Sequence, residues 1–296
     1  MNKLELKNWV EKNPKLVSMK ESESHSDLYV LKYKKRVFYD NLWNRFLEEC
    51  RGTVIDRDFN VISRPFTKIY NYGIETKAPK LDNDTPVLAY RKVNGFMAAI
   101  TWYNNDILIS TTGSLDSDFV KMVRETINID HYRSVCQRHS DLTFMFECVH
   151  KNDPHIIPER EGMYLIGYRK KDWESGVKIT PVDLNTYTYE FGSIPVEEYH
   201  TNIGDLLEMV KTVKHEGFVF YTDDGVSAKI KSPHYLVNKF VARNPRTDKL
   251  MRKDIKNSMD EEYYPLIDAI QENIESYTAL DEQSRLTWVR NFLETV

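Results

Sequence analysis

Cysteine is scarce in this chain. The three that occur, Cys50, Cys136 and Cys148, are odd in number and none lies at CxxC spacing, which argues against a disulfide framework and against a structural zinc site. Reduced, buried thiols are the expectation. Long apolar runs are missing as well: nothing approaches the ~20 residues of a membrane span, and the opening MNKLELKNWVEKNP has no secretory apolar stretch. The chain is therefore expected in the cytoplasm, away from membranes. An excess of positive charge is also lacking, with 41 Lys and Arg against 45 Asp and Glu. No uniformly basic coat is available for a polyanion, so any such contact falls to local patches. GxGxxG and HExxH do not occur, and the nearest thing to a phosphate loop, Gly162 to Gly167, runs on into Tyr168 and Arg169 instead of Lys and Ser or Thr. Cys148 and His150 in FMFECVH lack the companions a metal centre needs.

What is present is ample material for a core. A composition that is 41% hydrophobic and 12% aromatic excludes global disorder. At roughly 150 residues per domain, the length suits one large domain with an appendage. After a short helical stretch near 42–48, RGTVIDRDFNVISRPF reads as a hairpin. Further β-rich runs fall near 86–112, 142–149, 163–169 and 216–231, with helical patterns near 116–138 and 203–214. Regular strand–helix alternation is absent, so an α+β domain of antiparallel sheets with flanking helices is predicted. Beyond Pro233, Leu266, Ile267, Ile270, Ile274 and Tyr277 recur at steps of three and four, as do Leu286, Val289 and Leu293. The expected division is 1–235 for the main domain and 236–296 for a small all-helical one.

Two basic patches stand out. LYVLKYKKRVFY alternates so as to place Lys32, Lys34 and Arg36 on one face of a strand; that face either grips phosphates or simply meets water. In the tail, Lys239 to Lys256 holds seven basic residues and two acidic ones, whereas Asn257 to Val296 holds two and nine. Lys249, Arg252, Lys253 and Lys256 would share a helix face.

AYRKVNGFMAAI, residues 89–100, puts a lysine at the end of an apolar strand with Asn94 and Gly95 directly behind it. Asn-Gly between β-rich runs is a strong hairpin signal, and Lys92 beside it then has no chemical role. Alternatively Lys92 is a nucleophile on a rigid loop, and Gly95 lets a nucleotide approach the backbone. In EGFVFYT and SAKIKS, strand alternation sets Lys229 and Lys231 on one face, with Ala228 and Ile230 on the other. Those lysines either face solvent or form a phosphate clamp. Arg51, Lys68 in RPFTKIYNYG, and the carboxylates Glu147 and Glu216 complete an inventory suited to a nucleotide triphosphate with a divalent metal.

RGTVID, SRPFTKIYNYG, KVNG, STTGSLDSD, FECV, EGFVF and KIKS follow the order and approximate spacing of the covalent nucleotidyltransferases. Over about Arg51 to Tyr235 the chain resembles the ATP-dependent RNA ligases of the bacteriophage RNA ligase 1 class. The resemblance implies that Lys92 carries covalent AMP, Glu147 contacts the ribose, Glu216 helps place Mg2+ or Mn2+, and Lys229 and Lys231 hold the α-phosphate. Arg51 and Lys68 would take the remaining phosphates, with Gly95 and Gly217 keeping the backbone close to the nucleotide. ATP is the implied cofactor. The implied partner is RNA with 5'-phosphate and 3'-hydroxyl ends, such as cleaved tRNA, prepared by an end-healing kinase and phosphatase and gripped by the two basic patches. A monomer is expected. Two positions depart from the family pattern: Asn94 stands where Asp is usual, and Thr112 precedes Gly113 where phage relatives often have lysine. DNA ligases and GTP-using capping enzymes share these motifs but append an OB-fold, which a helical tail disfavours. A catalytically dead RNA-binding protein is the third alternative.

Such chemistry needs a tuned amine. A free lysine titrates near 10.4, leaving about one in a thousand neutral at pH 7. Burial and neighbouring cations lower that value.

Overall fold

The computed structural model describes all residues except 175–180, 244–249, 251, 253, 260 and 296. The strands, in chain order, are β1 (Val17–Glu21), β2 (Leu28–Tyr33), β3 (Arg51–Asp56), β4 (Val61–Ser63), β5 (Tyr70–Asn71), β6 (Pro86–Arg91), β7 (Phe96–Tyr103), β8 (Asp106–Thr111), β9 (Leu142–Val149), β10 (Gly162–Lys170), β11 (Glu198–Asn202), β12 (Gly217–Tyr221) and β13 (Ser227–Lys231). The helices are α1 (Lys3–Lys12), α2 (Lys35–Tyr39), α3 (Arg45–Glu49), α4 (Asp118–Thr126), α5 (Ile129–Arg138), α6 (Pro181–Phe191), α7 (Ile203–Thr212), α8 (Pro233–Arg243), α9 (Tyr264–Glu272), α10 (Ile274–Ala279) and α11 (Glu282–Thr295). The α+β expectation holds. None of the described helices is long and apolar enough to cross a membrane.

The backbone divides into two compact units, one of Met1–Lys68, Gly95–His155 and Glu159–Val196, the other of Ile69–Asn94, Ile156–Pro158 and Glu197–Val296. The first unit holds two antiparallel four-stranded sheets, β1-β2-β3-β4 and β10-β9-β7-β8. The predicted hairpin is β3–β4, with Val54 opposite Ser63. Leu28, Val30 and Val54 of the first sheet join Leu108 of β8 and Leu115 in one apolar cluster. β9 is flanked by strands on both sides and is buried along its whole length. That explains its nearly unbroken apolar sequence and makes its one carboxylate, Glu147, conspicuous.

The second unit is built on the sheet β11-β6-β12-β13-β5, antiparallel apart from the parallel pair β13–β5. One face of this sheet, Ala89, Phe218, Phe220 and Ala228, packs on Ile203, Leu206 and Val210 of α7. Asn202 caps that helix by accepting from the Asp205 N–H at 2.9 Å. The C-terminal helices share a second core of Leu236, Phe240, Leu266, Ile267, Ile270, Val289 and Leu293, among others. The tail periodicity is thus the packed face of α9 and α11. Position 235, where a boundary was expected, lies inside α8, and the tail helices group with the five-stranded sheet.

Two local expectations need correction. The alternating strand stops at Tyr33; Lys34 is the N-cap of the one-turn helix α2, on which Arg36 lies, paired with Asp40 at 2.8 Å. Past Tyr33 the chain turns into α2, which buries Val37. Only Lys32 of the three sits on β2. In the tail, Lys249 and Lys253 lie outside the described residues. Arg252 stands in no helix and forks onto Asp254, while Lys256, in the 3-10 turn Ile255–Ser258, pairs with Asp268. The expected basic α-helical face is therefore absent among the described residues, and its described cations already have acidic neighbours.

Candidate nucleotide site

In the second unit, β6 ends at Arg91 and the next residue, Lys92, donates its backbone N–H to the Gly217 carbonyl at 2.8 Å. β6 and β12 are neighbours, so the end of one carries Lys92 to the start of the other, where Glu216 stands. The Lys92 Nζ lies 3.0 Å from the Glu216 carboxylate, whose side chain is only 6% exposed against 23% for Lys92. The backbone around Glu216 is pinned on both sides. Its carbonyl accepts from the Ser232 N–H, the Ser232 hydroxyl donates to the His215 carbonyl at 2.6 Å, and Gly217 donates to His215 Nδ1 at 3.2 Å.

β13 runs antiparallel to β12 with Gly217 opposite Lys231 and Val219 opposite Lys229. Register therefore brings both lysines to the sheet face expected of them, and Lys231 Nζ comes within 3.9 Å of Glu216. Gly217 has φ of +134°, and a Cβ there would collide with the Ile230 carbonyl and stand 2.7 Å from the Lys231 Cα. The close approach of β12 and β13 requires this glycine.

Asn94 and Gly95 do not make a hairpin, because β6 and β7 belong to different sheets. Asn94 is 2% exposed and its amide nitrogen has no hydrogen-bond partner. A buried, unsatisfied amide costs free energy unless something pairs with it. This donor stands two residues from Lys92.

In the first unit, Gly95 donates its N–H to Glu147 Oε1 at 3.1 Å, and a Cβ at Gly95 would run into the Cys148 carbonyl. Glu147 thus fixes the start of β7 against β9. Arg51 opens β3 and donates to the Thr67 carbonyl at 3.4 Å, which brings it beside Lys68. Lys68 is buried with its ammonium over the Trp43 ring at 4.4 Å and the Phe38 ring at 6.0 Å. Lys32 pairs in register with Arg51, and its ammonium lies close enough to Gly113 that a Cβ there would meet it at 2.6 Å. Arg51, Lys68 and Lys32 are thereby gathered at one end of the first sheet. Cys136 and Cys148 are thiols pushed up to about 12 by burial, and Cys50 is raised further for the same cause, so all three are inert packing groups.

A model of the RNA ligase family matches residues 49–240. The chain belongs to the RNA ligase family. An RNA ligase of Rhodothermus phage RM378 is 26% identical over 195 residues, which are 52% of this chain and 44% of that protein. The chain's match thus spans less than half the length of that curated relative. Among solved structures, a chain assigned as an ATP-dependent DNA ligase of Aquifex aeolicus superposes with a TM-score of 0.63 at 16% identity, covering 97% of this chain and 77% of that one. An archaeal ATP-dependent RNA ligase gives 0.62 at 14% identity with the same coverages. At such identities the two structures establish a shared ligase fold.

Two site residues escape sequence reading altogether. Glu262, from the 3-10 turn Glu261–Tyr263, is paired with Lys231, and Lys239 of α8 lies 3.5 Å from the same carboxylate. All three side chains are at most 10% exposed. Burial alone would raise Glu262, but Lys231, Lys239 and Lys229 outweigh it and hold the carboxyl well below the usual range. Tyr235 lies beneath both ammonium groups, at 5.4 Å from Lys231 and 5.3 Å from Lys239. Its hydroxyl is pushed up to about 12 by burial and then by Glu216, so it stays neutral. In sequence, Glu262 sits in an acidic run, MDEEYY, that reads as solvated surface.

Proposed function

We propose that this chain is an ATP-dependent RNA ligase that joins 5'-phosphate and 3'-hydroxyl ends through a lysyl-adenylate. The observation that carries the reading is the Lys92–Glu216 contact at 3.0 Å with Lys231 beside the same carboxylate, in a chain of the RNA ligase family. The Lys92 amine attacks the α-phosphorus of ATP; a phosphorus–nitrogen bond forms and the bond to pyrophosphate breaks. The adenylate then passes to the RNA 5'-phosphate, and a 3'-hydroxyl displaces AMP to seal the strand. Lys229 and Lys231 would stabilise charge on the α-phosphate oxygens, and the unpaired Asn94 amide adds a donor beside Lys92. The roles of Arg51 and Lys68 on the outer phosphates and of Glu147 at the ribose rest on the family pattern.

A divalent ion suits this donor set. Among the described residues no three His, Cys, Asp or Glu side chains gather as a metal cage, and Mg2+ is ordinarily held by one or two carboxylates together with substrate phosphates. Glu216 is the carboxylate that would hold Mg2+ or Mn2+, which supplies neutralising charge at the phosphates when bound. To engage it, Glu216 must loosen its hold on Lys92, which returns the amine to a cationic surrounding that favours its neutral form.

The substrate we favour is cleaved tRNA with ends prepared by a separate kinase and phosphatase, met by a cytoplasmic monomer. Lys32, Lys34 and Arg36 are proposed RNA contacts. Residues 236–296 are proposed as the helical portion that helps choose the RNA, with Lys249, Arg252, Lys253 and Lys256 as its contacts. Incubation with ATP labelled at the α-phosphate should label the protein, and Lys92→Ala should abolish the label in a protein that still folds, as checked by its cooperative unfolding. Labelling from GTP in place of ATP would point to capping chemistry, and sealing of nicked DNA in preference to RNA ends to a DNA ligase. No label from either nucleotide would end the enzymatic reading.

A further inference from the structure

We propose that Glu262 is a positioning residue for adenylation: it holds Lys231 in place. The inference rests on the ligase reading above and extends it to a segment outside the matched motifs, since the family match ends at residue 240.

Lys231 has two carboxylates within reach and is shared unequally. It pairs closely with Glu262 and stands off at 3.9 Å from Glu216, while Lys92 holds Glu216 at 3.0 Å. The two lysines address different oxygens of Glu216, Lys92 at Oε2 and Lys231 at Oε1, and the longer of these contacts does not fix the Lys231 ammonium. The closer pairing with Glu262 does. Lys239 shares the same Glu262 oxygen, Oε1, at 3.5 Å, and the turn that carries Glu262 is anchored where the Tyr263 hydroxyl donates to the Leu236 carbonyl at 2.8 Å. The rings of Tyr235 and Tyr263 support the ammonium groups, with Lys239 at 5.3 Å and 6.0 Å from them.

An ammonium on a four-carbon stem is a flexible donor, and aiming it costs rotamer entropy unless the fold has already fixed it. Lys231 has three donor hydrogens. Glu262 accepts one, which leaves the others free for a phosphate oxygen. A donor held this way acts chiefly on the rate of the chemical step, because misplacement by a fraction of an ångström is felt most in the transition state. Glu262 itself touches no substrate. The tail helices would on this view serve the first step of ligation through Glu262 and Lys239, besides any contact with RNA.

The test is single-turnover adenylation of the full chain with α-labelled ATP. Glu262→Gln should lower the rate constant at saturating ATP by about 10–100-fold, with the full amplitude of labelled protein and an apparent ATP affinity within about threefold of the parent. Glu262→Asp, which keeps the charge, should recover part of the loss. In a Lys231→Met background, Glu262→Gln should cost less than about twofold more, because the residue through which it acts is gone. Mere destabilisation predicts otherwise: a reduced amplitude with a normal rate constant, no rescue by Asp, and losses that multiply in the double variant. That pattern, or a Glu262→Gln protein that adenylates at the parent rate, would overturn the inference. A parent protein that takes no label would instead defeat the ligase reading itself.

Discussion

The two units each bury a cluster of opposite charges, and the clusters are made of different cations. In the first, Glu49 at the end of α3 is held between two arginines. Arg64 Nη2 lies at 2.7 Å and Arg169 Nη2 at 2.8 Å from Oε1, with Arg169 Nη1 at 2.9 Å and Arg64 Nε at 3.3 Å from Oε2. Further guanidinium hydrogens go to backbone carbonyls, of Pro65 from Arg169 and of Asp172 from Arg64. In the second unit, Lys92, Lys231 and Lys239 meet Glu216 and Glu262 through single ammonium contacts. A planar guanidinium clasping a carboxylate on two edges is a fixed joint. An ammonium is a point charge that can exchange one oxygen for another. The arginine cluster therefore ties α3, the segment behind β4 and β10 together, and the lysine cluster is the one whose contacts are the easier to exchange.

The largest consequence for stability belongs to the arginine cluster. Glu49→Ala leaves two buried guanidinium groups without their counter-charge, and removing one partner from a buried ion pair costs about 3–5 kcal/mol. Urea denaturation should show that loss as a lowered midpoint with an unchanged slope. A cost below about 1 kcal/mol would mean that the cluster is no joint.

The same carboxylate gives the comparison a pH axis. Burial works to raise Glu49 from its ordinary 4.5, and Arg169 and Arg64 outweigh it, so the folded value is depressed. A depressed folded value means the stabilisation is complete above the unfolded value near 4.5 and is lost as pH falls through the folded one. Glu49→Gln should be the less stable protein at pH 7 and should lose less on acidification, so the two midpoints converge below pH about 4. A constant gap between them down to acid pH would remove Glu49 as the source of the linkage.

These clusters also mark what sequence could and could not reveal. The placement of Lys92, Lys229, Lys231 and Glu216 was legible because each lies at a strand end or on a strand face, where period-two alternation fixes direction. Glu49 and Glu262 were not. Glu49 finds Arg64 and Arg169 across separations of 15 and 120 residues, and Glu262 finds Lys231 across 31. No local period reports pairings of that kind, so both acids read as ordinary polar residues of a helix end and an acidic tail. The Asn94–Gly95 pair shows the opposite failure: a strong local hairpin signal is overruled because β6 and β7 join different sheets. Gly95 and Gly217 were singled out for the approach of a nucleotide, and each also has a reason inside the fold, the crowding carbonyls of Cys148 and Ile230. At Lys34 and Arg36, alternation continued in the letters after the strand had ended.

The smallest expected effects fall on that last pair, and they separate charge that builds the molecule from charge that only decorates it. Lys34 and Arg36 are exposed, and the Arg36–Asp40 contact is an i,i+4 pair with both side chains largely in water. Exposed pairs of this sort contribute at most a few tenths of a kcal/mol, so Lys34→Ala and Arg36→Ala should leave the unfolding midpoint within about 0.5 kcal/mol of the parent. If the two residues grip RNA phosphates, the double variant should bind single-stranded RNA more weakly at low salt, and the slope of log affinity against log salt should shrink by up to about 0.7 per lost contact. The rate of Lys92 labelling from ATP should not change. An unaltered salt slope would make this patch solvated surface, whereas a slowed labelling rate would place it in the adenylation step. In either case the contrast between buried charge that holds the fold and surface charge proposed to collect substrate would lose its second member.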